Sequence, residues 1–282
     1  MNARGGRAID IMAWNLKEDW ATMIFARKSR RRERWRAEAF PDPWRRIVDR
    51  RVPMFGRLPV TDQQELLGHA RVLLEEKHFE GADGLLMRDE VRVTIAAQAA
   101  LLLLHRDTDY FPRLTSIIVY PTGYVAHETS GHDGGIWSEG DESLLGHTQR
   151  DLRALVLSWD DVRAGAADPD DGHNLVLHEF AHQLDFEDGF TDGTPALDTG
   201  AQVRSWAHVL GEELETLRRA ADAGDPTLLD PYGAEDPAEF FAVATETFFE
   251  RAVALQQRHP GLYGELKRFY RQDPASWGTD AR

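Results

Sequence analysis

The segment Leu175–Leu184 (LVLHEFAHQL) limits the fold more than any other part of this chain. Its residues are apolar except His178, Glu179, His182 and Gln183, so as a helix it belongs against a core. Burying two imidazoles and a carboxylate there is costly unless something satisfies them. On a helix, positions i and i+4 stack one turn apart, so His178 and His182 can converge on one cation. Glu179 then points close enough to take a proton from a water at that cation. A chain of this His and Glu content would contain H-E-x-x-H by chance only about 0.03 times. The competing reading is two surface histidines on an amphipathic helix.

The chain has no cysteine among its 282 residues, which removes disulfides, thiolate zinc fingers, iron–sulfur clusters and a cysteine nucleophile together. A metal must therefore be held by imidazole and carboxylate. A catalytic zinc site takes three protein ligands and leaves a fourth position open. Asp185 and Asp188 stand where the metzincin extension requires Gly and His, and the Gly is missing for its Asp-ligand variant as well. The aspartate type requires Asp four residues after a Gly-Thr pair's Gly, but Leu197 occupies that place after Gly193-Thr194, with Asp198 one residue late. The glutamate type needs a Glu on a separate helix. The run Asp236–Glu246 (DPAEFFAVATE) offers Glu239 and Glu246, seven residues apart and so on one helical face.

Charge is divided unevenly. Residues 1–51 carry 14 Lys+Arg and 7 Asp+Glu, which leaves 19 bases and 41 acids in the rest of a chain whose net charge is −15. An acidic body repels phosphate over most of its surface, so nucleic acid is not the expected partner. The most apolar window, Val93–Leu104, is about half the roughly 20 residues a membrane helix needs, and the first 25 residues contain no secretory apolar region. The expectation is a cytoplasmic protein with no membrane partner. Arg27–Arg36 has seven Arg or Lys in ten positions and reads as a solvated helix face or tail, with an anionic surface contact as the sharper alternative.

Periodicity and punctuation give the organisation. Residues 1–40 form a basic extension and 41–282 a single domain. Helices are expected over Asp62–Glu76 with Thr61 as N-cap, over Arg88–Leu104, Asn174–Leu184, Ala201–Ala220, Pro237–Glu250 and Leu262–Tyr270. Ser116–Tyr120 and Leu155–Trp159 read as strands. The fold class is α+β: a mostly helical body with a small sheet and the motif helix packed beneath it. Glycines at 123, 131, 134 and 135 cradle no phosphate, because no nucleotide-binding pattern follows a strand.

The segments His178–Asp185 (HEFAHQLD), Tyr232–Val243 (YGAEDPAEFFAV) and Leu262–Pro274 (LYGELKRFYRQDP) together resemble the Mlc titration factor A family, across roughly residues 45–276. These are bacterial cytoplasmic zinc peptidases whose catalytic core is similar to that of anthrax lethal factor. The resemblance implies a zincin-like, gluzincin fold with one zinc ion (Zn2+) per chain. It implies His178, His182 and Glu239 as zinc ligands, Glu179 as general base, and Tyr232 as a tyrosine facing the metal. It also implies an aminopeptidase acting on a peptide or protein substrate, and binding to a transcriptional repressor of sugar uptake such as Mlc. The alternative within the same family is a non-catalytic titration factor whose zinc is structural or regulatory. Residues 1–40 have no counterpart in its shorter members.

If the chain is a peptidase, Glu179 takes the proton of the attacking water and returns it to the leaving amine. The Tyr232 hydroxyl then helps stabilise the tetrahedral oxyanion. Asp185, one turn past His182, either orients a ligand imidazole or serves the helix end, and Glu246 is open to the same two readings. His105, His127, His132, His147 and His173 are expected to be ordinary loop or helix-end residues.

Overall fold

A computed structural model describes residues 26–122 and 153–277. His127, His132, His147 and the glycines at 123, 131, 134 and 135 lie outside the described residues. The backbone separates into two units, residues 1–39 and 40–282. In the first, residues 26–37 form helix α1, in which Arg27, Arg30, Arg31 and Arg34 are exposed along one side. Arg31 stacks over the Trp35 ring at 4.8 Å, and Arg34 and Glu38 form an i,i+4 pair at 3.6 Å.

The second unit is mostly helical with one small sheet. Helix α2 spans Asp42–Arg51 and α3 spans Val60–Glu76, followed by strand β1, His78–Gly81. Helix α4 is Asp89–Leu101, and strands β2 and β3 are Ser116–Tyr120 and Ala154–Ser158. Then come α5 (Trp159–Ala167), α6 (Leu175–Asp185), α7 (Gly200–Ala223), α8 (Pro237–Glu250), α9 (Ala252–Arg258) and α10 (Pro260–Tyr270). No helix among the described residues is long and apolar enough to cross a membrane.

The strands run parallel in the order β1-β2-β3, with Ile117 beside Leu155 and Val119 beside Leu157. Those four side chains are buried while their neighbours at 116, 118 and 120 are half-exposed, so the period-2 alternation puts one sheet face into the core. The motif helix α6 touches β3 but packs chiefly against α8 and also against α4 and α5. The core is built around those helices. Trp206, Phe241, Phe248, Phe269 and Tyr270 form its aromatic centre, with edge-to-face pairs such as Trp206–Phe241 at 5.5 Å.

Several expected boundaries move; the strand expected over Leu155–Trp159 is Ala154–Ser158, and Trp159 opens helix α5. Helix α3 starts at Val60 behind Pro59, and Thr61 lies inside the first turn rather than capping it. Pro59 itself occupies the N-cap position and offers no side-chain acceptor, so no hydroxyl caps this helix. Helix α4 stops at Leu101, and the remaining leucines of the run continue as a buried turn to His105, whose φ is +61°. Arg88 supplies its N-cap position without a side-chain bond. Strand β1 and helices α2, α5 and α9 were not anticipated; each is short, and periodicity has little to act on in four to ten residues.

Candidate metal centre

Helix α6 begins where Asn174 caps it: Asn174 Oδ1 accepts the Leu177 N–H at 3.1 Å. Such a cap contributes about 1 kcal/mol. Its amide nitrogen donates to Glu250 Oε1 and to Gln98 Oε1, each at 3.0 Å, so the start of the motif helix is tied to α8 and α4 at once. Gly165 of α5 presses on the same place. A Cβ there would lie 2.8 Å from the His173 carbonyl oxygen and 2.9 Å from the Asn174 Cα, so only glycine permits this approach.

Helix α8 is started by Asp236, which accepts from the Ala238 and Glu239 amides at 2.7 and 2.9 Å, with Pro237 in its first turn. The helix is buried from Phe240 to Glu250. Glu239, Glu246 and Glu250 lie on one stripe of it, spaced by seven and four residues. That stripe faces α6, and each carboxylate meets a different part of the motif helix.

Glu239 meets both histidines. Its Oε2 is 3.0 Å from His178 Nε2 and its Oε1 is 3.3 Å from His182 Nε2, while the two imidazole nitrogens are 3.2 Å apart. The three residues offer ligand atoms within 4.8 Å of one another, the one such group of His, Cys, Asp and Glu among the described residues. Their side chains are only 12–15% exposed, so the donors are largely desolvated. Two nitrogens and a carboxylate aimed at one point need positive charge between them, as a proton or as a metal ion. Metal bonds of about 2.0–2.1 Å span a tetrahedron with edges of about 3.3 Å, close to the separations here. The residues fit a divalent cation.

Glu246 meets the back of His178, with Oε1 accepting from Nδ1 at 2.8 Å, and its other oxygen accepts from the Asn174 N–H. With Nδ1–H turned to Glu246, Nε2 is the nitrogen that faces Glu239 and His182, and loss of its proton leaves the tautomer a metal ligand needs. Burial works to lower the His178 pKa, but hydrogen bonds to Glu239 and Glu246 raise it well above 6.5. Burial works to raise Glu239, and its bonds to His178 and His182 hold it well below the usual carboxylate range instead. Glu250 accepts from Asn174 and from the Gly172 N–H at 3.2 Å, yet burial pushes its pKa up to about 8.

His182 Nδ1 is buried without a hydrogen-bond partner, and so is Oδ1 of Asp185, one turn further on. Asp185 Oδ2 accepts the Gly193 N–H at 3.0 Å, and burial pushes this carboxyl up to about 6. Asp185 thus serves the loop after the helix through one oxygen and leaves the other beside its own helix. Gly193 has φ +74°, and a Cβ there would lie 2.2 Å from the Pro237 carbonyl oxygen. Its own carbonyl accepts from Trp206 Nε1 at 2.8 Å. The loop between α6 and α7 is thereby fixed against the start of α8.

A cleft of about 530 Å3 reaches the site at His178, lined also by Asp161, Asp171, Glu179, Tyr232 and Glu246. Tyr232 sits on a 3-10 turn, Pro231–Ala234, and its ring centroid is 6.0 Å from that of His178. The structure therefore brings His178, His182 and Glu239 together and sets Glu179 and Tyr232 in a cleft that shares His178 with them. Sequence reasoning did not single out Asn174 or Glu250, although Glu250 was visible as the next position on the Glu239–Glu246 stripe.

The glucose-regulated metallo-peptidase M90 family matches residues 26–271. An uncharacterized protein of Synechocystis sp. is 36% identical over 234 residues, covering 83% of this chain and 85% of its own. Mlc titration factor A of Edwardsiella ictaluri is 32% identical over 228 residues, 79% of this chain and 85% of its own. Mlc titration factor A of Yersinia pestis is 30% identical over 228 residues, 79% of this chain and 82% of its own. With its histidine pair, its facing glutamate and a match over residues 26–271, this chain belongs to the glucose-regulated metallo-peptidase family M90.

Proposed function

We propose that the chain is a zinc-dependent peptidase of zincin-like, gluzincin type, acting as an aminopeptidase, with its catalytic domain in residues 41–282. His178, His182 and Glu239 are its metal ligands, Glu179 its general base and Tyr232 its oxyanion donor. The observation that carries this reading is the convergence of both Nε2 atoms and the Glu239 carboxylate within 3.0–3.3 Å of one another, beside a cleft lined by Glu179 and Tyr232. Zinc is favoured over magnesium or calcium because two imidazoles and one carboxylate suit it, whereas those cations prefer oxygen.

Bound there, zinc supplies a Lewis acid that makes a water nucleophilic at neutral pH. Glu179 accepts a proton from the attacking water as the water adds to the substrate carbonyl, then delivers it to the nitrogen as the C–N bond breaks. Tyr232 donates its hydroxyl hydrogen to the oxygen that becomes negative in the tetrahedral intermediate. Glu246 holds the His178 imidazole by accepting from its Nδ1.

The name of its relatives supports a second reading, a non-catalytic titration factor that binds a transcriptional repressor such as Mlc; in that reading the zinc is structural or regulatory. Purified, zinc-loaded protein assayed on chromogenic amino-acid anilides and short peptides, with and without chelator, separates the two. Chelator-sensitive cleavage that is lost in Glu179→Gln supports the peptidase; repressor binding that survives chelation, with no cleavage, supports the second reading.

A further inference from the structure

Helix α1, residues 26–37, carries seven Arg or Lys against one acid, Glu33. Its burial has a phase. Arg32 is buried and Lys28, Ser29 and Trp35 are half-buried, whereas Arg27, Arg30, Arg31 and Arg34 are exposed. At 3.6 residues per turn those four arginines fall within one sector about 100° wide, on the side of the helix away from Arg32.

The stripe is a row of like charges at i,i+3 and i,i+4 spacing, and such neighbours repel one another along a helix. Arg34 and Glu38 pair at 3.6 Å with both side chains exposed, which offsets little of that repulsion. Glu33 accepts from Ser29 at 3.3 Å on a different side of the helix. Arginine keeps its charge at every physiological pH, so the stripe is permanently positive. Over seven residues it presents a line of guanidiniums about 10 Å long. Counter-charge from outside the helix relieves repulsion of this kind.

The sequence that runs into α1, residues 20–25 (WATMIF), decides which polyanion suits it. Trp20, Met23, Ile24 and Phe25 are large and apolar. Basic residues adjoining aromatic and apolar ones are the combination that holds a segment at a bilayer interface, with guanidiniums on headgroup phosphates and rings at the acyl boundary. Nucleic acid would use the arginines and leave the apolar residues in water. Trp35, half-buried with Arg31 stacked over it, adds a ring of the interfacial type near the end of the helix.

We propose that α1 is a docking element for an anionic lipid bilayer, seating the stripe of Arg27, Arg30, Arg31 and Arg34 on headgroup phosphates without spanning the membrane. The inference concerns a surface outside residues 40–282 and is independent of the peptidase reading. It replaces the expectation of no membrane partner, which had counted only spanning segments.

The test is flotation of the full-length protein with vesicles at about 0.1 M salt, where the screening length is about 10 Å. Vesicles of phosphatidylcholine with about a third phosphatidylglycerol should capture the protein, and pure phosphatidylcholine should not. Raising salt to about 0.5 M should release it. Each basic residue at an anionic surface strengthens partitioning about fivefold, so combining Arg27→Glu, Arg30→Glu, Arg31→Glu and Arg34→Glu should weaken binding more than about 100-fold. Lysine at the same four positions keeps the charge and should bind within about threefold of wild type.

No capture by the anionic vesicles would overturn the proposal, as would equal capture by the neutral ones. A glutamate variant that is folded by its far-ultraviolet spectrum and binds like wild type overturns it too. If that variant unfolds, the lipid and salt comparisons on wild type still decide. Stripe-dependent binding to duplex DNA, or stripe-dependent self-association, without vesicle binding assigns the arginines to another partner and contradicts the lipid assignment.

Discussion

Glu246 Oε1 lies 2.8 Å from His178 Nδ1, a contact between two buried helices that are 68 residues apart in sequence. It gives the imidazole one orientation and one tautomer, and it is possible only because Glu239 and Glu246 share a face of α8. The same helix therefore supplies both a ligand position and the support for another ligand. In the peptidase account, Glu246→Gln retains the shape but loses the charge behind His178. Zinc affinity, measured by competition with a chromophoric chelator, should fall about 10- to 100-fold, with the far-ultraviolet spectrum unchanged.

Asp185 tests the other imidazole. His182 Nδ1 and Asp185 Oδ1 are both buried and unpartnered, one turn apart on α6. Once His182 Nε2 is committed to a cation, its Nδ1–H needs an acceptor, and Asp185 Oδ1 is the carboxylate oxygen left over at that turn. Asp185→Asn should lower zinc affinity by a comparable factor, whereas Asp185 acting only on the Gly193 loop would lower melting temperature and leave affinity alone.

Protons and metal compete for the same nitrogens. His178 has a raised folded-state pKa, so its contribution to apo stability is fully present below about 6.5 and is lost as pH rises through the folded value. Glu239 has a depressed pKa, so its contribution is present above about 4.5 and is lost as pH falls through the folded value. The pair stabilises the apo protein between those limits, and metal must displace the His178 proton there. The rise in melting temperature on adding zinc should therefore grow from pH 6 to pH 8. A gain independent of pH would argue against the clamped, charged imidazole.

Glu250 gives a separate pH signature. Its folded pKa of about 8, set by burial, stands above its ordinary value, so the unfolded chain ionises first as pH rises. The protein loses stability from this group between about pH 4.5 and pH 8, a loss that Glu250→Gln does not suffer. Urea unfolding should show the variant gaining on wild type across that range, by up to a few kcal/mol.

The motif helix and the helix that faces it were legible from residue type and spacing alone. Two histidines at i and i+4 fix a face, and two glutamates seven apart fix another. The choice of Glu239 over Glu246 was not legible from spacing, because both lie on the same stripe; it depends on how far α8 slides along α6, which packing decides. The family resemblance pointed to Glu239, and the contacts place Glu239 against both Nε2 atoms and Glu246 behind His178. The parallel β1 strand escaped because four residues show too little alternation to read.

Gly193 shows how the loop after the motif helix is held. Its φ of +74° is unfavourable for any residue with a Cβ, and that atom would collide with the Pro237 backbone. Gly193→Ala should destabilise the protein by roughly 2–4 kcal/mol, read by urea unfolding. Because Pro237 begins the helix that carries Glu239, zinc affinity should fall as well.

Zinc stoichiometry by mass spectrometry of the desalted chain tests the central arrangement most directly. Wild type and Glu179→Gln should carry one ion per chain, and His182→Ala and Glu239→Ala should carry almost none. A Glu239→Ala protein that is folded and still retains one tightly held ion would contradict the site described.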